Sequence, residues 1–252
     1  MLLFYLFIIG LAVGSFLNVL IDRLPKEKSI MGRSYCDNCK KQLKSIDLIP
    51  ILSFLILKGK CRLCKKKINF RYPIVELLTG VLFVLSFIYL PGQVIAIKVL
   101  QLALISALIV IFFADLRYRI IPDQMLIFAG IIGFLILLIQ GSNYQLILFR
   151  FVEGLLTALP IFLVYELSKH RAMGFGDVKL AYIIGFIFGL QKGLTALYFA
   201  FILGALIGLV LIFMKKKTIK SKVAFGPFIV LGSFLVLFVD KVDLFMLVFF
   251  SN

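Results

Sequence analysis

The chain contains very little histidine and few acidic residues, and these shortages exclude several classes of enzyme. His170 is the single histidine among 252 residues, and it stands in a basic loop where we expect it to be solvated. A histidine-based catalytic triad and a zinc hydrolase that depends on histidine ligands are therefore excluded. Asp and Glu number 12 against 28 Lys and Arg. Few carboxylates are therefore available as catalytic groups.

Polar segments are also scarce, because 62% of the residues are hydrophobic and the mean hydropathy is +1.11. A helix that crosses a bilayer needs roughly 20 apolar residues. We therefore predict an all-α polytopic membrane protein with about eight transmembrane helices. Its partners then include the lipid bilayer. The predicted spans are 2–20, 73–90, 94–114, 124–140, 151–167, 178–190, 193–214 and 223–239.

Two of these runs have unusual features. Residues 2–20 follow no positive residue and precede no small-residue cleavage site, so we expect a membrane helix and not a signal peptide. Gly10 and Gly14 in that run are four positions apart, which favours close packing of a second helix. Residues 178–190 are too short for a full crossing. Either the bilayer is thinned there, or Met173–Asp177 already lies below the membrane surface as non-helical backbone.

The positive charge has a strongly one-sided distribution, which predicts the topology. If residues 21–72 lie inside, then 24 of the 28 Lys and Arg fall on the inner side, including five in 215–222. Cytoplasmic loops carry such an excess. We expect both termini outside, and we expect no nucleic-acid partner, because the basic residues sit in loops between membrane runs.

All four cysteines lie in the long polar segment 21–72. Two Cys-x-x-Cys pairs separated by 21 residues can present four thiolates to a tetrahedral zinc ion. Two disulfides or four idle thiols are the alternatives, and a reducing cytoplasm disfavours the disulfides. We predict a small zinc-ribbon-like loop whose ligands are Cys36, Cys39, Cys61 and Cys64.

Two aspartates are the candidate catalytic pair. Asp177 follows two glycines in Gly174-Phe175-Gly176-Asp177, and Asp115 ends the third apolar run. The predicted topology brings both to the cytoplasmic ends of their helices, on one face of the membrane. If the carboxyl groups meet they share a proton, so that one activates water while the other polarises a peptide carbonyl. Their lateral distance is open at this stage.

Each acidic residue also has a structural interpretation. Asp177 can cap the next helix, and Asp115 can pair with Arg117 or Arg119 at a solvated helix end. Asp123 is predicted to be a helix N-cap. We predict that Glu76 forms a structural ion pair with Arg71 and that Glu153 forms one with Arg150.

Several ordered motifs together resemble the prepilin peptidases, the type IV leader peptidase family. The match extends in order from residue 10 to about residue 235. The motifs are Gly14-Ser15-Phe16-Leu17-Asn18-Val19, Arg23-Leu24-Pro25, the two Cys-x-x-Cys pairs, Ile49-Pro50-Ile51-Leu52-Ser53, Arg71-Tyr72-Pro73 with Glu76-Leu77, Asp115 with Ile121-Pro122-Asp123, Gly174-Phe175-Gly176-Asp177-Val178-Lys179-Leu180, and Phe225-Gly226-Pro227-Phe228.

The resemblance implies a membrane aspartic endopeptidase that removes the basic leader of prepilins or pseudopilins at the cytoplasmic face of the bacterial inner membrane. It assigns catalysis to Asp115 and Asp177, and we expect Gly174, Gly176 and Lys179 to contact substrate. Many members also methylate the new N-terminus with S-adenosylmethionine, and the tetra-cysteine loop marks that longer type. Phe175 stands where glycine is common, and the tract after Asp115 is unusually basic.

The expected organisation is a first transmembrane helix at 1–20, a basic tetra-cysteine loop at 21–72 and a peptidase domain at 73–252. A transporter would carry acidic residues at the membrane midplane along a path, whereas Asp115 and Asp177 both fall at one face. A zinc-bearing scaffold for pilus or secretion assembly would need the cysteines but not the aspartates. No glycine-rich nucleotide loop independently indicates a site for S-adenosylmethionine, so a peptidase without methyltransferase activity remains an alternative.

Overall fold

The computed structural model describes residues 1–36, 38–90, 94–214 and 224–238, and these residues form helices and loops. One short helix and eight long ones make up the described chain. Their bounds are Leu2–Arg23 (α1), Leu52–Ile56 (α2), Arg71–Tyr89 (α3), Ile95–Tyr118 (α4), Asp123–Ile139 (α5), Tyr144–Leu167 (α6), Phe175–Phe188 (α7), Leu190–Phe213 (α8) and Gly226–Phe238 (α9). The predicted inside segment 215–222 lies outside the described residues.

The eight long helices coincide with the eight predicted runs, and the protein is a multi-pass membrane protein. Five of them are long and apolar enough to cross a bilayer, and α5 and α9 are shorter apolar helices. Only 17% of the most apolar window of α8 is buried inside the protein. Such an exposed apolar surface, on a helix whose backbone bonds are satisfied internally, suits contact with lipid.

The start of α7 differs from the prediction. Phe175, Gly176 and Asp177 are helical, so the alternative of a non-helical Met173–Asp177 is right only for Met173 and Gly174. A single residue, Gly189, separates α7 from α8, and its φ of +85° is a conformation that side chains other than glycine rarely adopt. The 14 residues of α7 rise about 21 Å, so this helix is still shorter than the hydrocarbon core.

Helix α4 lies at the centre of the bundle, because it contributes buried residues to two separate hydrophobic clusters. Leu108 and Ile111 belong to one hydrophobic cluster with residues of α5, α7, α8 and α9. Ile105 and Ile109 belong to a second cluster with residues of α1 and α3. The last turns of α4, which carry Asp115, are therefore held by packing from both halves of the molecule.

Helices α1 and α3 make close backbone contact at the predicted glycines. A Cβ on Gly10 would lie 2.7 Å from the Cα of Gly80, and one on Gly14 would lie 2.7 Å from the Cα of Glu76. The prediction that these glycines let a second helix approach is confirmed.

Replacing Gly10 with leucine should destabilise the protein. The new side chain meets backbone, which cannot rotate away, so the helices must separate, at a cost of about 1–3 kcal/mol. We expect a lower thermal unfolding temperature in detergent for Gly10→Leu. Gly208→Leu is the control, because a Cβ at Gly208 meets none of the described residues within 4 Å. Equal unfolding temperatures for the two variants would contradict the described contact.

Candidate active site and metal centre

Asp115 and Asp177 come from different helices and lie together at one end of the bundle. Asp115 is in the last turn of α4 and Asp177 is in the first turn of α7. The carboxyl groups are close enough to interact electrostatically. Both residues are buried, with exposed fractions of 5% and 7%.

The carboxylate of Asp177 is fixed by the start of its own helix. Its Oδ2 accepts a hydrogen bond of 3.1 Å from the backbone N–H of Gly174, and its own N–H donates to the Gly174 carbonyl at 3.1 Å. Gly174 is the N-cap and Asp177 is the third helical residue, so the interpretation of Asp177 as the N-cap is wrong, although its carboxylate does accept a backbone N–H at the helix start. A cap role and a chemical role for Asp177 are compatible, because the carboxylate has a second oxygen.

Helix α9 supplies a third wall of this site. The backbone amide of Gly226 interacts with the carboxyl groups of both Asp115 and Asp177. A Cβ on Gly226 would lie 2.6 Å from Asp115 Oδ2 and 3.1 Å from Ile121 Cδ1. The sequence indicated Gly226 only through the family motif, and its one intrinsic signal is the Gly-Pro pair that opens a helix.

Neither catalytic candidate has an ion pair within the described residues. The predicted pairing of Asp115 with Arg117 is wrong, because Arg117 Nη1 binds Asp22 Oδ1 at 2.9 Å. The alternative partner, Arg119, acts on Asp115 through its charge without forming an ion pair. Asp115 Oδ2 is buried and accepts no hydrogen bond. Two adjacent buried carboxyl groups that form no ion pair are best accommodated by sharing a proton. Such a pair can remove a proton from water and donate one to a carbonyl oxygen.

Asp123 and Lys179 form an exposed ion pair beside the site. Lys179 Nζ lies 2.8 Å from Asp123 Oδ1 and 2.9 Å from Oδ2. Asp123 is the first residue of α5 and Pro122 is the N-cap, so the prediction that Asp123 caps this helix is wrong. The proline before it takes the capping position because its ring fixes φ near the helical value and needs no N–H partner.

Asp22 joins three helices at the same end of the bundle, and the sequence reasoning missed it. Its Oδ2 accepts hydrogen bonds from Arg71 Nη2 at 2.7 Å and the Tyr72 hydroxyl at 2.8 Å, and its Oδ1 accepts from Arg117 and from the Tyr118 hydroxyl at 2.9 Å. The end of α1 is thereby bound to the start of α3 and the end of α4. The signal was an acidic residue between an apolar run and a basic loop.

The two structural glutamates have different outcomes. Glu153 pairs with Arg150 at 3.1 Å, as predicted. The predicted pair of Glu76 with Arg71 is wrong, because Arg71 binds Asp22. Glu76 Oε2 instead accepts a hydrogen bond of 2.8 Å from the backbone N–H of Ile51, which anchors the loop to α3.

The four cysteines converge into one cluster, with every sulfur within 4.8 Å of the others. Two knuckles of the same shape present them: Lys40 N–H donates to Cys36 O at 2.8 Å, and Lys65 N–H donates to Cys61 O at 3.0 Å. All four are free thiols, so the disulfide alternative is wrong.

The cluster fits a tetrahedral metal ion. The Cys36 and Cys64 sulfurs are 3.9 Å apart, and ligands at the usual Zn–S length of about 2.3 Å are separated by about 3.8 Å in a tetrahedron. A hydrogen bond from the backbone of Lys66 lowers the pKa of the Cys64 thiol to about 6. A thiolate is the form that binds a metal. The cluster can therefore hold a metal ion.

Comparison with known proteins covers both halves of the chain. Residues 8–90 match the bacterial peptidase A24 N-terminal domain, and residues 102–209 match the type IV leader peptidase family. A prepilin leader peptidase/N-methyltransferase of Bacillus subtilis (strain 168) is 35% identical, over 91% of this chain and 91% of its own length. One from Klebsiella pneumoniae is 35% identical over 74% of this chain and 85% of its own, and one from Myxococcus xanthus is 34% identical over 82% and 62%. No solved structure matches the chain.

Proposed function

Because the chain belongs to the type IV leader peptidase family, we propose that it is a membrane-embedded aspartic endopeptidase for prepilins or pseudopilins. The single observation that carries the proposal is the buried pair of Asp115 and Asp177 around the amide of Gly226. An aspartic peptidase needs two adjacent carboxyl groups that are not held in ion pairs. The relatives are named prepilin leader peptidase/N-methyltransferase, and the proposed substrate class is taken from that name.

In the proposed reaction the two aspartates share the acid and base roles. The ionised carboxylate takes a proton from a water molecule, whose oxygen attacks the carbonyl carbon of the scissile peptide bond. The protonated carboxyl group donates to the carbonyl oxygen and stabilises the developing charge. The fixed position of Asp177 on the Gly174 amide keeps its geometry constant through the reaction.

Gly174, Gly176 and Lys179 are the proposed substrate contacts. Among the described residues, a Cβ on Gly174 would meet Asp177 Oδ2 at 3.7 Å and Gly176 N at 3.9 Å, which are ordinary contacts, so the surface there can admit a peptide. Gly176 packs against Ile121, with 3.3 Å between a built Cβ and the Ile121 Cβ. We propose that Gly176, which has no side chain, allows Ile121 to pack closely beside the site. We also propose that Lys179 leaves its ion pair with Asp123 and binds a polar group of the substrate.

We propose that the site faces the cytoplasm of a bacterial inner membrane and that both termini lie outside. The charge distribution supports this orientation. The Asp22–Arg117 contact supports it too, because it joins the end of α4 that carries Asp115 to the end of α1 from which the basic loop departs.

The test is cleavage by the purified protein in lipid vesicles of a prepilin-type peptide with a basic leader and an apolar segment. We expect two products that meet at a single bond, identified by mass spectrometry. A protein that binds its metal and leaves the peptide whole would overturn the proposal in favour of a zinc-bearing scaffold.

We also propose that the protein methylates the new N-terminus, with S-adenosylmethionine as the methyl donor. The relatives are named as leader peptidase and N-methyltransferase together, and this chain has the cysteine loop in full. The mass of the mature N-terminal peptide, with and without the donor, tests this second activity. An unchanged mass would leave a peptidase alone.

Zinc is the metal that we propose for the cysteine cluster, with a structural role, since a loop with little apolar core gains stability from a bound ion. Cys61→Ser should lower the metal content from about one ion per chain to near zero, because Cys61 is the buried member of the set. Plasma emission spectroscopy of the purified protein measures this. Full zinc content in that variant would contradict the ligand assignment.

A further inference from the structure

A patch of exposed apolar side chains lies on the outer surface of the cysteine loop, at the short helix α2. Leu52, Leu55 and Ile56 are all exposed, Ile56 by 73%. Their spacing of i, i+3 and i+4 places the three side chains on one face of the helix. Phe70, the N-cap of α3, is 69% exposed. Clustered apolar side chains on a surface typically mark an interaction site.

The patch lies at the level of the membrane surface. Helix α3 has 19 residues, which rise about 28 Å, so its whole length is needed to cross a hydrocarbon core of about 30 Å. Phe70, which precedes its first turn, is therefore at the boundary of the bilayer. Two contacts hold α2 beside that turn. The ring of Phe54 packs edge-on against Phe70 with 5.0 Å between centroids, and the Ile51 N–H donates to Glu76 Oε2.

The apolar surface continues into the lipid-facing side of α3. Ile74, Leu77 and Val81 are exposed and follow Phe70 by four, seven and eleven residues, which places all four on one side of the helix. On a helix that crosses a bilayer, such a stripe suits contact with acyl chains. The patch on α2 is thus continuous, through Phe70, with a surface that faces lipid.

An open basic pocket lies directly after α2 on the same surface. Its volume is about 380 Å³, its wall includes Leu55 and Phe70, and it contains Lys58, Lys60 and Lys67. None of its lining residues is acidic, and in the part of the chain that the structure describes these three lysines form no ion pair. Lys58 has a φ of +51°, at the position after a helix where glycine is usual. Three ammonium groups beside apolar surface suit a ligand with a phosphate at one end and hydrocarbon at the other.

We propose that this part of the cysteine loop docks on the bilayer and binds an anionic phospholipid. Leu52, Leu55 and Ile56 lie at the boundary between headgroups and acyl chains. The three lysines of the pocket bind the lipid phosphate, as basic segments beside a membrane attract anionic lipids. The inference goes beyond the proposed cleavage and methylation and requires neither of them.

The depth of α2 can be measured with a single fluorescent reporter, because the sequence contains no tryptophan. Leu55→Trp is placed in nanodiscs of phosphatidylglycerol and phosphatidylcholine. Lipids with brominated acyl chains should quench most of the indole emission, and acrylamide in the water should quench little. Nanodiscs present the same lipids on both faces, so the result does not depend on orientation. An indole that acrylamide quenches and brominated lipid does not overturns the proposal and leaves the patch to a protein partner.

Native mass spectrometry of the metal-loaded protein in detergent, titrated with dioleoylphosphatidylglycerol, tests the lysines. The triple variant Lys58→Gln, Lys60→Gln, Lys67→Gln should bind this lipid roughly 100-fold more weakly than wild type, since each lysine beside an anionic lipid contributes about fivefold. Its metal content should equal that of wild type, which shows that the loop is folded. Phosphatidylcholine should bind wild type and variant equally.

The matched control removes the same charge from exposed parts of the same loop that do not line the pocket. It combines Lys28→Gln, Lys41→Gln and Lys44→Gln and should keep the wild-type dissociation constant for the lipid. Equal losses of affinity in the two triple variants overturn the proposal, because total charge and not the pocket would then attract the lipid. Complete displacement of the lipid by inorganic phosphate also overturns it, since the pocket would then be a site for free anions.

Discussion

Asp115→Asn and Asp177→Asn should each reduce prepilin cleavage by about 10³-fold or more, because each removes one member of a pair that must exchange a proton. Asn has the shape of Asp, and its side-chain oxygen can still accept the hydrogen bond from Gly174. The start of α7 should therefore form normally in Asp177→Asn. Cleavage rates in vesicles, at protein levels matched by immunoblot, measure the effect.

The double variant should be no slower than either single variant. Residues that act as a unit give non-additive losses, since the reaction that needs both is already absent when one is gone. Asp123→Asn is the matched control: the Asp123 side chain is 61% exposed and, among the described residues, its ion pair is with Lys179 alone. We expect it to keep a wild-type kcat, because exposed ion pairs contribute about 0–1 kcal/mol. Appreciable cleavage by either single variant would exclude that aspartate from the reaction and make Asp123 the next candidate.

The positions of the helices could be predicted from the sequence because each helix in a bilayer must satisfy its own backbone hydrogen bonds. Long apolar runs therefore identify the helices one at a time, without knowledge of their neighbours. The same local logic found Gly10 and Gly14, whose spacing is enough to predict a close helix contact. It also found the four cysteines, because a repeated Cys-x-x-Cys spacing has few structural outcomes.

The pairing of charged residues could not be predicted in this way. Arg71 was assigned to Glu76 by proximity in sequence, yet it binds Asp22, 49 positions away, and Glu76 receives a backbone N–H from the loop. Ion pairs depend on which helix ends meet, and apolar periodicity does not encode that. The contact of Gly226 with the aspartates could not be predicted for the same reason, since it exists only because α9 packs against α4 and α7.

Gly226→Ala should lower cleavage by about 10²-fold without unfolding the protein. The added Cβ would lie 2.6 Å from Asp115 Oδ2, so the carboxyl group must leave its position beside Gly226. A side chain that ends in a rotatable carboxyl group can move at little cost to the fold, whereas a catalytic group displaced by about 1 Å can cost about 10²-fold in rate. Activity should therefore fall far more than stability, and kcat against thermal unfolding temperature measures both.

Gly208→Ala is the matched control for this variant. It makes the same chemical change in α8, where a Cβ has no neighbour within 4 Å in the part of the chain that the structure describes, and it should match wild type in both measurements. Gly226→Ala combined with Asp115→Asn should be no slower than Asp115→Asn alone, since the alanine acts only through the Asp115 carboxyl group. Wild-type cleavage by Gly226→Ala would mean that Asp115 does not lie against α9 when the peptide bond is cut. A further loss in the combined variant would mean that the Gly226 amide itself contacts the substrate or the transition state.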